Sequence, residues 1–339
     1  MLYQTENRHG GDIYGGIALD FSANVSPLGT PRSVTDAIER ALPELYRYPD
    51  PYCRTLVQTI SEYEGVPKNF VLCGNGASEL IYAYCGAVRP KRAMELAPTF
   101  SEYSLALRRT GCEVVRFALK QEENFDLREN FLPILAREKI DALFLCNPNN
   151  PTGALYPKEV LQQIVELARE HQLIIFSDEI YDRLVMDGLE HVSIASLAPD
   201  LFCVTFSGLS KSHMIAGFRI GWMILSGNKN IARDYIEGIK MLSNMRLCSN
   251  VPAQSVVQTA LGGHQSVNDY IVPGGRIYEQ REYVYKAFCD IPGITAVKPK
   301  AAFYMFPKID TKKFNITNDE KFALDLLRDK KLLIVHGGG

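Results

Sequence analysis

The sequence predicts an α/β fold built on a mainly parallel sheet with helices on both faces. Short, almost continuous apolar runs alternate with helical stretches, as where Ala142–Cys146 is followed by Pro157–Glu170. Parallel strands that are buried on both faces show this pattern. Polar and small residues follow directly after several of these runs. Ligands bind at the carboxyl ends of the strands in such sheets, so this position also predicts a site.

The predicted elements follow one another regularly after a proline-rich start. A helix opens the series, a loop punctuated by prolines follows it, and strands and helices then alternate. The predicted helices are Ser33–Leu42, Thr55–Glu64, Ala77–Val88 and Pro157–Glu170, and the predicted strands are Phe70–Cys73, Ala93–Leu96, Ala142–Cys146, Leu173–Phe176 and Leu201–Phe206.

We expect the chain to consist of three parts. Residues 1–30, rich in Gly, Pro and Asn, form an N-terminal arm that belongs to the small domain, and residues 31–277 form the large domain. Residues 278–339 form the small α+β domain, with the pattern changing from Tyr278 onward. The chain ends on an apolar stretch followed by glycines, so we interpret this small domain as incomplete.

Composition limits the classes of function. The 37 basic and 39 acidic residues give a net charge of −2, which provides no general attraction to nucleic acid or to an anionic membrane. No apolar run approaches the length needed to span a membrane. The eight cysteines form no C-x-x-C pair. This usage predicts reduced thiols in a cytoplasmic protein, and no metal site is predicted.

One motif predicts a phosphate site. Gly76, Ala77 and Ser78 open a predicted helix directly after a predicted strand. Backbone N–H groups at a helix N-terminus bind phosphate, and glycine permits a close approach. An ordinary strand-to-helix turn is the alternative for this segment alone. A full dinucleotide fingerprint is excluded, because Glu79 occupies the third glycine position.

Three further motifs supply a carboxylate, a phenol, an amine and a guanidinium. Asp178 and Tyr181 follow one predicted strand, and Lys211 and Arg219 follow the next. Taken singly, each residue has an ordinary explanation: a helix-capping aspartate, a structural tyrosine, a solvated lysine and a surface ion pair. Together with the phosphate motif and the Asn147–Gly153 segment, they form the set that holds pyridoxal phosphate (PLP) and bonds it covalently.

These motifs resemble those of the class I/II aminotransferases, a group of fold-type I PLP enzymes. The segments that carry the resemblance are Asn147-Pro-Asn-Asn-Pro-Thr-Gly153, Ser177-Asp-Glu-Ile-Tyr181, Ser210-Lys211 and Gly217-Phe-Arg219-Ile-Gly221. The resemblance implies the PLP-dependent transferase fold of aspartate aminotransferase. It also implies a homodimer with shared active sites, acting on an amino acid and a 2-oxoacid.

The resemblance assigns roles to individual residues. Lys211 forms the Schiff base with PLP and moves the proton between the reacting carbons, while Asp178 pairs with the pyridine nitrogen. Asn150 and Tyr181 bind the phenolic oxygen. The remaining cofactor contacts fall to the phosphate-binding residues Gly76, Ala77, Ser78, Ser210 and Arg219, with Ser207 a weaker candidate, to the stacking ring Phe100 with Tyr103 as its alternative, and to Tyr48 from the neighbouring subunit.

The two halves of the chain resemble different members of this group. The N-terminal part, with His9–Asp12, Leu19–Gly29 and Tyr46–Asp50, looks like threonine-phosphate decarboxylase and histidinol-phosphate aminotransferase. From about Asn147 onward the chain is similar to the bacterial glutamate–pyruvate (alanine) aminotransferases, as in Met241–Gln254. A natural recombinant, an engineered chimera and a divergent ancestor all fit this division.

The leading interpretation is an aminotransferase acting on a small L-amino acid, first alanine, with a 2-oxoacid such as 2-oxoglutarate. The alternative is a decarboxylase or aminotransferase of phosphorylated substrates. A PLP-sensing regulatory module is a third class, and no DNA-binding domain fits before Leu19. The family's arginine for the substrate carboxylate lies beyond the last residue, so we expect weak amino-acid binding if the chain is complete.

Overall fold

The computed structural model describes residues 18–26 and 28–337. The N-terminal His9–Asp12 motif and most of the predicted arm lie outside these residues. The strands are β1 (Leu19–Asp20), β2 (Val71–Gly74), β3 (Arg92–Ala97), β4 (Glu113–Ala118), β5 (Ala142–Cys146), β6 (Ile174–Asp178), β7 (Cys203–Gly208), β8 (Gly221–Ser226), β9 (Ile294–Thr295), β10 (Lys308–Ile309) and β11 (Leu332–Leu333).

The helices of the described residues lie between these strands along the chain. They are α1 (Arg32–Ala41), α2 (Arg54–Glu64), α3 (Ala77–Val88), α4 (Glu102–Arg109), α5 (Leu132–Arg137), α6 (Lys158–His171), α7 (Ile194–Leu197), α8 (Leu209–Ser212), α9 (Arg233–Asn244), α10 (Val251–Gly262), α11 (Val267–Tyr270), α12 (Arg276–Cys289) and α13 (Asp319–Lys330). In the described part of the chain, no helix is both long enough and apolar enough to cross a membrane.

Seven strands form one sheet, in the spatial order β2-β8-β7-β6-β5-β3-β4. Strand β8 pairs antiparallel with both of its neighbours, whereas β3 to β7 pair in parallel. Because β8 runs in the opposite direction, its first residue lies at the edge of the sheet where the parallel strands end. This edge is where the sequence predicts the site, and the predicted α/β class is confirmed.

Both faces of the central strands β5, β6 and β7 are buried, and their side chains alternate between the two faces. On one face Phe144, Phe176 and Phe206 of three adjacent strands stack, with ring centroids 4.2 and 4.3 Å apart. On the other face Leu143 and Ile175 belong to the core cluster that includes apolar residues of α6. The central strands are therefore rigid supports for the polar residues at their ends.

The predicted strands are found within a few residues, and the seven-stranded sheet contains two further strands, β4 and β8. Strand β4 lies at the edge of the sheet and contains exposed and half-buried residues but no buried one, and its sequence lacks the continuous apolar run used to predict the others. Strand β8 begins two residues after Arg219, where the sequence was interpreted as a binding motif. It supplies the buried Trp222 and Met223.

The last part of the described chain contains short elements. Strands β9 and β10 pair with each other, and β11 pairs in parallel with β1, with Leu19 opposite Leu332. The apolar segment Ala302–Phe306 forms no strand, although Ala301 makes an isolated bridge to Val185. The predicted domain boundaries at residues 30 and 277 stay a prediction.

Candidate active site

Three glycines lie in register across the carboxyl edge of the sheet. Gly221, the first residue of β8, is opposite both Gly74 at the end of β2 and Gly208 at the end of β7. A Cβ atom on Gly221 would lie 2.4 Å from the backbone nitrogen of Ala77 and 2.5 Å from the carbonyl carbon of Gly76. Only glycine fits there, and the start of α3 is therefore packed directly against β8.

The guanidinium of Arg219 faces the start of α3. A Cβ atom on Gly76 would come within 2.4 Å of Arg219 Nη2, so glycine leaves the space that the guanidinium uses. Gly76 itself has a φ of +83°, which a larger residue rarely adopts. Arg219 also has a positive φ, of 56°, and its Nη1 donates to the carbonyl of Ala216 at 2.9 Å. This rare backbone state aims the side chain at the helix N-terminus.

Asp178, the last residue of β6, is a buried carboxylate. Its Oδ2 accepts a hydrogen bond from the hydroxyl of Tyr103 at 2.6 Å, and its Oδ1 accepts from the backbone N–H of Ile180 at 3.2 Å. Burial raises the pKa of Asp178, and the hydrogen bonds and the nearby Lys211 cation oppose that increase. Tyr103 is itself fully buried, and its hydrogen bond fixes the orientation of this carboxylate.

Lys211 lies in the short helix α8, immediately after β7. Its Nζ donates to Oδ1 of Asn24 at 3.0 Å and lies 6.0 Å from the centre of the Tyr181 ring. Burial lowers the pKa of Lys211 to about 8; the Asp178 carboxylate raises it and the Arg219 cation lowers it further. A lysine with this pKa is a nucleophile near neutral pH, as covalent catalysis requires.

Two residues that the sequence did not identify complete this environment. The hydroxyl of Tyr304 donates to Oδ1 of Asn24 at 2.8 Å and shares a short hydrogen bond with the hydroxyl of Tyr181. Because Tyr304 gives its only proton to Asn24, Tyr181 is the donor in that bond. Asn24 and Tyr304 lie 280 positions apart, and sequence alone offered no signal that they meet Lys211.

The Asn147–Gly153 segment lies beside Asp178, since the backbone N–H of Asn147 donates to the carbonyl of Asp178 at 3.0 Å. Asn149 is fully buried and shapes the loop: its Oδ1 accepts from the hydroxyl of Thr152 at 2.6 Å, and its Nδ2 donates to the hydroxyl of Tyr156 at 3.1 Å. The predicted ligand Asn150 is only half-buried. Its role toward the cofactor stays a prediction.

The other predicted residues occupy different environments. Phe100 is half-buried, and its ring meets that of Tyr103 edge to face, with centroids 5.6 Å apart. Ser207 is buried within β7. Ser78 and Ser210 are half-buried in the first turns of α3 and α8. By contrast, Tyr48 is 94% exposed in the loop before α2.

The arrangement fits PLP. Gly76 and Gly221 allow the Arg219 guanidinium and the N-terminus of α3 to lie close together, and this pair of groups suits a phosphate dianion. The buried carboxylate of Asp178 suits a protonated pyridine nitrogen, and Lys211 supplies the amine. Among the described residues, no group of three or more His, Cys, Asp or Glu side chains could hold a metal ion.

Comparison with known proteins agrees with this geometry. The family model for aminotransferase class I and II matches residues 17–339. A glutamate–pyruvate aminotransferase of Haemophilus influenzae is 51% identical over 277 residues, which cover 81% of this chain and 69% of that protein. A threonine-phosphate decarboxylase of Salmonella typhimurium is 31% identical over 303 residues, covering 88% and 78%.

A solved structure shows the same fold. A crystal structure of an aminotransferase from Escherichia coli superposes with a TM-score of 0.86 at 42% identity, covering 94% of this chain and 82% of that one. The 81% of the chain matched by the Haemophilus influenzae protein is more than the part from Asn147 onward contains, so the alanine aminotransferase likeness extends into the N-terminal half. The chain belongs to the class I and II aminotransferases, a family of PLP-dependent enzymes.

Proposed function

We propose that the chain is an alanine aminotransferase that exchanges an amino group between L-alanine and a 2-oxoacid such as 2-oxoglutarate. The observation that carries the proposal is the convergence of Lys211, Asp178 and Arg219 on the carboxyl edge of one sheet, in a chain of this family. The 51% identity to a glutamate–pyruvate aminotransferase supports the choice of alanine. The reaction runs as two half-reactions that share one site.

Each part of the site has a distinct task in this proposal. The start of α3 and Arg219 bind the phosphate and fix the position of the ring. When bound, PLP supplies an electron sink that stabilises negative charge at the substrate Cα. The Asp178 carboxylate, held by Tyr103, keeps the pyridine nitrogen protonated. Tyr181, whose hydroxyl is held by a short hydrogen bond with that of Tyr304, would bind the phenolic oxygen of the ring.

Lys211 moves the proton. With a pKa lowered to about 8, its amine is partly neutral at physiological pH and is able to accept a proton and return it. Asn24 accepts a hydrogen bond from the same amine and therefore limits its orientation. The buried surroundings keep bulk water from competing for that proton.

A homodimer with shared sites is part of the proposal. Exposed apolar side chains cluster in the loop before α2 and at the end of α9: Tyr46, Tyr48, Tyr52, Met241 and Met245. A 3.7 Å contact between Cys53 and Ser249 places these two segments side by side. Large exposed apolar patches mark protein interfaces. A second copy on this patch would bring its Tyr48 toward the phosphate site.

A cytoplasmic location is proposed as well. All eight cysteines are free thiols, and six of them are buried. Thiols persist in this state in a reducing compartment.

The first prediction tests the reaction. Adding L-alanine to the PLP-loaded protein should convert the visible band of the bound cofactor to the pyridoxamine form, with one pyruvate released per site. Lys211→Ala should lose the visible band and turnover, whereas Lys158→Ala, at an exposed lysine that begins α6, should keep both. Absorbance and a pyruvate assay provide the measurement. If the band does not change with L-alanine and the protein releases carbon dioxide from O-phosphothreonine, the proposal is contradicted and the decarboxylase alternative is favoured.

The second prediction concerns the charge of Lys211 in the cofactor-free protein. Asp178 raises the pKa of Lys211, so Asp178→Asn should move this pKa below its value of about 8. The neutral amine would then dominate from a lower pH. The test is a pH titration of the ¹³C NMR signal of Lys211 after reductive methylation. Asp200→Asn, at a surface ion pair, is the control. An unchanged or increased pKa in Asp178→Asn would refute the account.

The third prediction tests the shared site. Lys211→Ala and Tyr48→Ala should each be inactive or nearly so. After the two variants are mixed and exchange subunits, activity should rise, because one site of each mixed dimer combines Lys211 with Tyr48 of the partner subunit. Tyr283→Ala, at a tyrosine 76% exposed on α12, should behave as wild type. If mixing restores nothing, Tyr48 does not act across the dimer.

A further inference from the structure

Arg246 lies on the segment between α9 and α10, and its side chain is less exposed than those of the residues on either side of it. Met245 and Leu247 are 82% and 40% exposed, whereas the Arg246 side chain is 21% exposed. Its Nε donates to Oε1 of Glu79 and its Nη2 to Oε2 of Glu79, both at 2.6 Å. Such a bidentate pair fixes the orientation of the carboxylate as well as its position.

The same carboxylate holds the loop that precedes α3. Oε2 of Glu79 also accepts the backbone N–H of Asn75 at 2.7 Å. The side chain of Asn75 in turn accepts the backbone N–H of Asn250 at 2.7 Å, and the side chain of Asn250 caps α10 by accepting from Ala253 at 3.2 Å. Asn75 is therefore fixed from both sides, directly before the Gly76 that lies at the phosphate site.

The position of Glu79 is electrostatically unfavourable for anion binding. It is the third residue of α3, in the helix turn whose N-terminus faces the phosphate, and a phosphate ester carries about −1.5 to −2 charges. Burial raises the pKa of Glu79, but the hydrogen bonds from Arg246 and Asn75 outweigh it and leave the pKa below its ordinary value. Glu79 is therefore ionised at neutral pH, and Arg246 neutralises it.

We infer that Arg246 is a positioning residue for the cofactor phosphate: it holds Glu79 in the orientation that fixes Asn75 and cancels the carboxylate charge beside the anion site. Arg246 acts through Glu79, and its pairing with Glu79 leaves the phosphate to Arg219 and the start of α3. The inference rests on the proposed PLP site.

The experiment compares equilibrium affinities for PLP and for pyridoxal, which lacks the phosphate, by absorbance titration. Arg246→Met should bind PLP roughly ten- to a hundredfold more weakly, by analogy with the loss seen when a residue that hydrogen-bonds to a metal ligand is removed. Its affinity for pyridoxal should stay within about twofold of wild type, a change of about 0.4 kcal/mol. Arg169→Met breaks another bidentate pair, with Asp200 at 2.7 and 2.9 Å, and should change neither affinity.

A second variant separates charge from folding. Glu79→Gln in the Arg246→Met background removes the uncompensated charge and should restore most of the PLP affinity. If Arg246→Met folds poorly by circular dichroism, Arg246→Lys replaces it and should give an intermediate PLP affinity. Equal losses for PLP and pyridoxal, or no loss for PLP, would overturn the inference. A wild-type protein that binds pyridoxal and PLP equally would contradict the proposed phosphate site itself.

Discussion

The close approach of β8 to the start of α3 is the constraint on which the candidate site depends. Gly221 lies so near Gly76 and Ala77 that a single added carbon would overlap the backbone. Because β8 is antiparallel to its neighbours, its first residue reaches the edge where β2 and β7 end. The start of α3, Arg219 before β8 and Lys211 after β7 therefore meet within one small region. The buried stack of phenylalanines beneath this edge keeps the strand ends fixed.

Around this constraint the structure balances buried charges. Asp178 and Lys211 are both removed from water, which disfavours their charged forms, and each favours the charge of the other. Arg219 opposes the charge on Lys211 and is itself suited to bind an anion. The result is an amine with a pKa near physiological pH, beside the guanidinium and helix N-terminus of the candidate phosphate site. In the same way, the positive charge of Arg246 offsets the negative charge of Glu79, which holds the loop before α3.

The sequence predicted the parts that depend on local pattern. Continuous apolar runs identified the central strands, and the residues directly after them proved to lie together at one edge of the sheet, as for Asp178 and Lys211. The features that the sequence did not predict depend on packing between residues that are distant along the chain. The direction of β8 is set by pairing with strands distant in sequence, and Asn24 and Tyr304 reach Lys211 from opposite ends of the chain. Glu79 was noted only as a missing glycine, because nothing local shows that Arg246 pairs with it.

The most direct measurement of the central claim is the PLP affinity of Gly221→Ala, with Gly262→Ala as the control because a Cβ atom at Gly262 meets nothing within 4 Å. The added carbon on Gly221 should push the start of α3 away from β8 and disrupt the phosphate site. We predict at least a tenfold weaker PLP affinity, about 1.4 kcal/mol, with the circular dichroism spectrum unchanged. A Gly221→Ala protein that binds PLP as tightly as wild type would contradict the account.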